Sequence, residues 1–171
     1  MIKLKHVLVF LKYQDEILLL NRNKPSWMGC WNGVGGKIEN GESPVEAAIR
    51  ETFEETGIKV KIKDEYNKVA WVVKEDKDSL GGMYVFIQEI DEKIKTPAYS
   101  PEGVLDFKKI DWILDKRNSG VAKNIKVFLP VYLEGIKQDY ITIYGQEFDD
   151  LEIIEKVDLD NINIERLWKK E

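Results

Sequence analysis

Three glutamates crowd one helix-like segment, and their type and spacing suit metal chemistry. Glu51, Glu54 and Glu55 fall within five positions, with Arg50 as the cation among them. At about 100° per residue they share one arc of a helix, where like charges destabilise it by a few tenths of a kcal/mol per pair. Glu54 and Glu55 also fall in the last turn, where the helix dipole disfavours acids. A divalent cation such as Mg²⁺ or Mn²⁺ would remove both penalties, because hard ions prefer carboxylate oxygens.

The glutamates sit in a segment with clear helix boundaries. Ser43 predicts an N-cap, Pro44 the first helical position and Glu46 a capping box. Gly57 is typical of a left-handed residue that ends a helix, so the helix is predicted over 44–56. We expect one apolar stripe to face the core and the glutamates to lie on the opposite side. That stripe comprises Val45, Ala48, Ile49, Thr52, Phe53 and Thr56.

A glycine-rich run precedes the helix at a short fixed distance. Residues 33–37 read GVGGK, which allows a tight backbone and leaves carbonyl and amide groups open to a ligand. Gly36, Glu42 and residues 50–58 together resemble the Nudix box, G-x5-E-x7-R-E-U-x-E-E-x-G-U, over residues 36–58. All seven fixed letters are present, and only Thr52 departs from the bulky aliphatic type (U), which we interpret as a packing change.

The resemblance implies a fold, a cofactor and roles for the acidic cluster. Nudix domains are α/β/α sandwiches around a central mixed sheet, an α+β class, and use Mg²⁺ or Mn²⁺. By this resemblance Glu51, Glu54 and Glu55 are metal ligands or a base, and the Gly36 carbonyl also contacts metal. Arg50 would orient Glu51, as a cation beside a carboxylate can.

Two further acids take roles from the same resemblance. Glu102 lies in SPEGVLDF, residues 100–107, which resembles the loop that carries an extra metal ligand or assisting base. The alternative for Glu102 is an ordinary loop glutamate. Either Glu51 or Glu102 can be the general base, and the sequence does not decide between them. Glu42 is expected to support the joint between loop and helix.

The run WNGVGGK, residues 31–37, resembles the mutator-type 8-oxo-dGTP diphosphatases within this family. It implies that Asn32 contacts the base, since an amide both donates and accepts at a purine edge. Trp31 and Lys37 are then substrate-binding candidates. The alternatives are that Asn32 caps the turn before Gly33 and that Trp31 belongs to the core.

A second candidate base-binding segment is KNIKVFLP, residues 123–130. It resembles the place where these enzymes put a further base-reading side chain, often acidic in the mammalian type. Asn124 occupies that place, and this departure weakens the expectation of a strict 8-oxoguanine preference. Phe128 either stacks on a base or packs in the core.

Composition sets the general class. The chain has 171 residues, 43% hydrophobic and 33% charged, which predicts one domain over 1–171 with an extension at about 150–171. The net charge of −5 argues against a long nucleic-acid partner. Cys30 is the single cysteine, so no internal disulfide can form. No apolar run is long enough for a bilayer and no signal peptide is evident, so a cytoplasmic location is expected. Monomer and homodimer both stay open.

Strand-like runs outnumber helical ones and occur in succession, which favours α+β. Strands are predicted at 4–12, 16–22, 58–66, 68–76, 81–90, 104–114 (running into a turn), 140–148 and 151–159. Turns or loops are predicted at 23–33, 77–82 and 95–103, and helices at 44–56, 121–135 and 163–170, with Pro130 as a possible early stop.

The predicted reaction is attack of a metal-activated water on a purine nucleoside triphosphate, giving a monophosphate and pyrophosphate. The resemblance extends this substrate class to oxidised purines such as 8-oxo-dGTP. Three other substrates would use the same box: ADP-ribose, a dinucleoside polyphosphate or a capped RNA end. A different class of function, a nucleotide-binding module without hydrolysis, is the remaining alternative, although such domains usually lack part of the acidic set.

Overall fold

The structure, a computed structural model, describes residues 2–148 and 150–168. Its regular elements are the strands of one sheet, which occur in runs, and a few helices between these runs. In chain order they are β1 (His6–Tyr13), β2 (Glu16–Arg22), β3 (Trp31–Asn32), β4 (Val34–Lys37), α1 (Pro44–Thr56), β5 (Asn67–Val73), β6 (Asp76–Glu89), β7 (Ala98–Ser100), β8 (Gly103–Lys109), α2 (Ile110–Leu114), α3 (Ile125–Leu133), β9 (Asp139–Tyr144), β10 (Leu151–Val157) and a 3₁₀-helix (Ile164–Trp168).

The strands form a mixed sheet in the order β10-β9-β5-β6-β1-β2-β8-β7. β1 is parallel to β6, and β5 is parallel to β9, while the other neighbouring pairs are antiparallel. Near its start β1 also pairs with β4, with Val7 opposite Gly36 and Leu8 opposite Gly35. The sheet therefore forks at β1, and the fork brings the glycine-rich strand into the middle of the molecule.

Helices cover both faces of this sheet. Alternate residues of β1 point to opposite faces, as a strand requires. Leu8 and Phe10 pack in one core cluster with Ile125 and Phe128 of α3. Val7, Val9 and Leu11 pack in the other cluster, which contains Ala47 and Ala48 of α1. The predicted α+β sandwich with a central mixed sheet is confirmed by this layering.

The predicted boundaries of α1 are confirmed. The Ser43 hydroxyl accepts a hydrogen bond from the Glu46 backbone N–H at 3.2 Å, and the Glu46 carboxylate accepts one from the Ser43 N–H at 2.8 Å. Pro44 is the first helical residue. Gly57 closes the helix at φ +73°, with its N–H bonded to the Phe53 carbonyl.

The predicted orientation of α1 is wrong in part. Four residues of the predicted stripe do face the core, since Ala48 and Thr52 are buried and Val45 and Ile49 pack against a core cluster. The buried positions are Ala47, Ala48 and Thr52, whereas Phe53 is 47% exposed. On a helical wheel these buried positions surround Glu51 and Glu55, so two of the three glutamates face the protein. The apolar stripe misled because the inward side of this helix mixes small apolar residues with carboxylates.

Several other predicted strands, turns and loops differ from the structure in their bounds or in their type. Residues 58–66 form no strand, although Ile62 is buried and Ile58 and Val60 pack against the same core cluster. Their alternation buries apolar side chains without a partner strand. The predicted turn at 77–82 lies inside β6, since the hairpin turns earlier, at 74–75. Short strands replace parts of two predicted loops, at β3 and β7.

The remaining helical predictions are partly met. The segment predicted at 121–135 is helical only from Ile125, and Pro130 lies inside α3 without ending it. α2 follows β8 directly, where a turn was expected. Near the C-terminus, a 3₁₀-helix takes the place of the predicted helix at 163–170, of which residues 169 and 170 lie outside the described residues.

Candidate active site

β4 and α1 place the predicted glycines against the predicted glutamates. A Cβ on Gly36 would overlap the Glu51 carboxylate, so only glycine leaves room for that carboxylate. The Gly35 N–H donates to Glu55 Oε2 at 3.0 Å. Gly35 itself has φ +155°, and a Cβ there would overlap the Val7 carbonyl of β1. The glycine-rich strand thus contacts two carboxylates of the helix. We call Gly35, Gly36, Glu51, Glu54 and Glu55 together the acidic edge.

Arg50 ties the acidic edge to the loop before it. Its Nε and Nη2 donate to the two oxygens of Glu42, at 2.6 and 2.9 Å. Its Nη1 donates to Glu51 Oε1 at 2.8 Å and to Glu54 Oε2 at 3.3 Å. Its Nη2 also donates to the Lys37 carbonyl at 2.9 Å. A planar guanidinium shared this way fixes Glu51 and joins loop to helix, the two tasks that the sequence suggested for Arg50 and Glu42.

Burial sets the protonation of the inward glutamates. Desolvation raises the pKa of Glu51, and the Arg50 guanidinium opposes this rise. Desolvation also raises the pKa of Glu55, to about 7; the Gly35 N–H opposes it, and the charges of Glu51 and Glu102 add to it. A carboxylate that is buried beside other carboxylates resists ionisation. The surroundings of Glu51 and Glu55 therefore compensate only part of the cost of ionising these two carboxylates.

Glu102 lies in the turn between β7 and β8, close enough for its charge to raise the pKa of Glu55. Its carboxylate accepts a hydrogen bond from Lys24 Nζ at 2.7 Å, and its backbone carbonyl accepts one from the Asn23 N–H at 3.0 Å. The structure thus brings Glu102 to the acidic edge, where Lys24 is its direct partner.

The acidic edge fits a divalent cation by the chemistry of its donors. Among the described residues no three Asp, Glu, His or Cys side chains are arranged so that they could hold a metal ion as they stand. The carboxylates are instead engaged with Arg50 and Lys24. Even so, the donor types are carboxylates and backbone carbonyls, which are the ligands that Mg²⁺ and Mn²⁺ prefer. The excess charge on Glu51 and Glu55 is the local property that a cation would relieve.

A cavity of about 410 Å³ opens beside the glycine strand and includes Gly35 and Gly36 in its lining. Asn32 and Asn124 both line it. Their approach follows from the backbone of Trp31, whose N–H donates to the Gly120 carbonyl at 2.7 Å and whose carbonyl accepts from the Ala122 N–H at 3.1 Å. This short parallel bridge carries the start of α3, and hence Asn124, to the Asn32 side of the cavity.

The two amides have unused hydrogen-bonding capacity. Asn32 Oδ1 accepts from the Gly33 N–H at 2.8 Å, which is the turn-capping contact weighed in the sequence and leaves the amide NH₂. Asn124 is 4% exposed, and its Oδ1 has no hydrogen-bond partner among the described residues. A buried amide oxygen without a partner costs free energy, so a ligand edge that supplies a donor would be favoured.

Three predicted substrate-binding residues lie elsewhere. Phe128 is fully buried in the core and stacks on Tyr132, with ring centroids 5.3 Å apart. The Trp31 ring packs under Lys108, whose Nζ lies 4.6 Å from the ring centroid. Lys37 is exposed at the end of β4. None of these three residues is in the lining of the cavity, since the inward turn of α3 and the local pairing of β3 direct the two aromatic rings away from it.

Sequence reasoning missed several residues that line the cavity. Arg22 lines it, and its charge lowers the pKa of Glu55. Arg22 Nε and Nη2 donate to the Ser26 and Pro25 carbonyls, at 2.8 and 3.3 Å. The lining also contains five aromatic or imidazole rings that are scattered in sequence and belong to no motif: His6, Trp27, Trp71, Tyr144 and Phe148.

Comparisons with known proteins agree with this fold and site. The family model for the NUDIX domain matches residues 3–125. The mouse protein named oxidized purine nucleoside triphosphate hydrolase is 34% identical over 108 residues, which cover 63% of this chain and 67% of the mouse protein. Mouse diphosphoinositol polyphosphate phosphohydrolase 3-alpha is 30% identical over 124 residues, covering 72% of this chain and 70% of its own.

A solved structure shows the same similarity in three dimensions. The crystal structure of the mutator MutT protein from Bacillus halodurans superposes with a TM-score of 0.72 at 28% identity, and the match covers 88% of this chain and 95% of that one. An α/β/α sandwich in which a glycine-rich strand packs against an acidic helix is the arrangement expected of Nudix hydrolases. The chain belongs to the Nudix family, and is a Nudix hydrolase related to the oxidized purine nucleoside triphosphate hydrolases. No described helix has both the length and the apolar composition needed to cross a membrane.

Proposed function

We propose that this Nudix hydrolase converts a purine nucleoside triphosphate, including an oxidised one, into the monophosphate and pyrophosphate. One observation carries the proposal: the cavity with the two amides ends at Gly35 and Gly36, the same residues that seat Glu51 and Glu55. A base that occupies the cavity would therefore direct its phosphates towards the acidic edge. In this proposal the strand β4 contributes residues both to the base-binding cavity and to the hydrolytic site.

The residues of the cavity supply recognition at both ends of such a substrate. The NH₂ of Asn32 is a donor and the Oδ1 of Asn124 is an acceptor without a partner, so together they match a purine edge that carries both kinds of group. Arg22 lines the cavity and its charge acts on Glu55, so it can attract the phosphate oxygens of a nucleotide bound there. Neutral amides at the base and a cation towards the phosphates suit a nucleotide.

Glu51, Glu54, Glu55 and the Gly36 carbonyl would hold the divalent metal, with Glu102 as a further ligand. When bound, the metal neutralises phosphate charge and lowers the pKa of the attacking water. Glu54, which is the most exposed of the three helix glutamates, completes the donor set at the open side of the acidic edge.

Glu51 and Glu102 are the two groups that can take the proton of the attacking water. Arg50 holds Glu51 by a 2.8 Å hydrogen bond, and Lys24 holds Glu102 by one of 2.7 Å, so each carboxylate is held by one cation. Substituting each by glutamine and recording kcat against pH separates them. The variant that lacks the general base should lose the acidic limb of the profile, and the variant that lacks the other glutamate should keep it.

The relation to the mouse oxidized purine nucleoside triphosphate hydrolase supports inclusion of oxidised bases. Asn124 supplies a neutral amide to the cavity, and an amide tolerates either donors or acceptors after rotation. We therefore expect both the oxidised and the ordinary purine triphosphate to be hydrolysed.

The test is hydrolysis in the presence of Mg²⁺, with the products separated by chromatography, of dGTP, 8-oxo-dGTP, ATP, ADP-ribose, a diadenosine polyphosphate and a capped RNA oligonucleotide; the triphosphates should give the monophosphate and pyrophosphate. We expect the purine triphosphates to give the highest kcat/KM. Glu54→Gln and Glu55→Gln should lower turnover by orders of magnitude while circular dichroism stays that of the wild type. A clear preference for ADP-ribose would overturn the substrate assignment, and full Mg²⁺-dependent activity of either variant would overturn the site.

A further inference from the structure

The five rings that line the cavity form a continuous series, which we call the aromatic wall: His6, Trp71, Phe148, Tyr144 and Trp27. Their successive ring centroids lie 5.3, 6.4, 5.7 and 6.1 Å apart. The strands β1, β5 and β9 contribute His6, Trp71 and Tyr144, while Trp27 and Phe148 come from two loops. The wall is therefore built by the whole fold.

The rings of the wall meet at steep angles. The planes of Trp71 and Phe148 cross at 90°, those of Tyr144 and Phe148 at 64°, and those of Trp27 and Tyr144 at 65°. Core rings such as Tyr132 and Tyr140 also cross steeply, at 61°. The wall differs from the core because all five of its rings line the cavity, where a flat ligand can contact them. Aromatic surface that lines a cavity is typical of a binding site.

Neighbouring groups hold the wall in place. The Trp71 indole lies against Gly81, where a Cβ would come within 2.8 Å of its Nε1, so glycine is required for this position of the ring. Arg22 anchors the loop of Trp27 through the Pro25 and Ser26 carbonyls. The loop of Phe148 is closed by a hydrogen bond from the Gly145 N–H to the Asp150 carbonyl at 2.8 Å.

The charge of the lining selects among flat ligands. Of the described residues that line the cavity, none is a carboxylate and Arg22 carries the one permanent charge. A base with a fixed positive charge, such as 7-methylguanine, would gain from the ring faces, but no carboxylate among the described lining residues would pair with its charge. A neutral heteroaromatic base meets no such penalty.

We infer that Trp27 and Phe148 grip the base of the substrate and give this enzyme its preference for a neutral purine over a pyrimidine. The inference rests on the proposed function and assigns specificity to two loop residues outside every motif of the sequence. The two amides read the edge of the base, and the two loop rings bind its faces. A purine offers more ring face than a pyrimidine, so the loss of either ring costs the purine more.

The test is calorimetric titration of dGMP, dCMP and 7-methyl-GMP, which contain the base and one phosphate and are not substrates for pyrophosphate release. Wild type should bind dGMP more tightly than dCMP and 7-methyl-GMP. Trp27→Ala and Phe148→Ala should each weaken dGMP by roughly 10- to 100-fold, the range expected for the loss of one base–aromatic stack, with a smaller change for dCMP. Phe148→Leu keeps bulk without a π face and should also lose purine preference.

Tyr99→Ala is the matched control, because Tyr99 is an aromatic residue 84% exposed on the short strand β7. It should leave all three affinities unchanged. Equal losses for dGMP and dCMP, an unchanged ratio in Phe148→Leu, or tighter binding of 7-methyl-GMP than of dGMP in wild type would each overturn the inference. If wild type hydrolyses no nucleoside triphosphate, the proposed function fails, while the ratio of dGMP to dCMP affinity still tests the aromatic wall.

Discussion

The acidic edge and the aromatic wall are neighbours in space and opposites in construction. The acidic edge comes from one short stretch of sequence, Gly35 to Glu55, and carries mutually repelling charges on a helix. The aromatic wall takes its rings from positions between 6 and 148 and is almost neutral. The difference teaches that the residues proposed for hydrolysis come from one local stretch of sequence, whereas the residues proposed to select the base come together only in the assembled sheet. A change of substrate can then arise without any change in the box.

Arg22 is the group that belongs to both regions. Its charge acts on Glu55, while its hydrogen bonds fix the loop that carries Trp27. Perturbing each region by itself, and then Arg22, should show how separable the two are.

The largest effect is expected for Glu55→Gln, which should reduce turnover on the order of 10³-fold by removing a charged ligand of the proposed metal. The free energy of unfolding of this variant should increase, although its turnover falls. Burial raises the native pKa of Glu55 from 4.5 to about 7, so ionisation penalises the folded state increasingly as pH rises from 4.5 to 7. Without metal, at pH 8, the variant should be more stable by at most about 3 kcal/mol.

Urea unfolding in EDTA at pH 8 and pH 4.5 measures this change. The gain should be present at pH 8 and nearly absent at pH 4.5, where the carboxyl is protonated in the folded state and half protonated in the unfolded state. A variant less stable than wild type at pH 8 would mean that the acidic edge is not electrostatically strained.

Gly36→Ala should come next, with a loss of kcat/KM of about 10²-fold, as expected for displacement of a catalytic group by about 1 Å. The new methyl group would occupy the space of the Glu51 carboxylate and push it away from the strand. Gly41→Ala is the control, since a Cβ there meets open space although its φ of +86° adds some strain. Steady-state kinetics on both variants checks this; equal activity of Gly36→Ala and Gly41→Ala would contradict the seating of Glu51.

Arg22→Lys should give a smaller and divided effect. Lysine keeps a positive charge near the phosphates, but a single ammonium does not reproduce the two guanidinium bonds to the Pro25 and Ser26 carbonyls. We expect KM for dGTP to rise about 10-fold, with kcat reduced less than in Arg22→Ala. Comparison of kcat and KM for the two variants measures the split; identical defects would show that Arg22 acts through its guanidinium hydrogen bonds and that its charge contributes nothing.

The smallest effect concerns stability in acid. The Arg50 guanidinium lowers the pKa of Glu42 to about 2 from 4.5, so the pair stabilises the folded state above pH 4.5 and loses this contribution as pH falls towards 2. Glu42→Gln should therefore be less stable than wild type at pH 7, and the two should converge near pH 2. Thermal melting across this range, with the exposed Glu39→Gln as control, checks it. A difference that stays constant with pH would contradict the assignment.

Sequence alone predicted what depends on local order. The capping residues around α1 and the spacing of Gly36, Arg50 and the glutamates are fixed by neighbours a few positions away, so their arrangement could be anticipated. The direction of α1 could not: its inward side includes Glu51 and Glu55, and a hydrophobic pattern assigns carboxylates to solvent.

The base-binding side was predicted less well, for a physical reason. Trp31 and Phe128 follow a motif or a helical pattern, yet a large aromatic residue serves equally in a core and in a pocket. Phe128 went to the core because α3 turns it onto Phe10 and Tyr140. His6, Trp71 and Phe148 meet only because β1, β5 and β9 take their places in the sheet, and no spacing along the chain records that proximity.

The position of β1 has a consequence for how the molecule is made. β1 lies between β2 and β6, and it precedes its parallel partner β6 by some 70 residues of chain. During synthesis at about 5–20 residues per second, its apolar edge therefore waits several seconds for that partner. Tyr144 and Phe148 emerge later still, after β9 joins β5. The nascent polypeptide thus contains the whole Nudix box well before the last two rings of the aromatic wall are synthesised, so the surface proposed to select the base is completed after the proposed metal site.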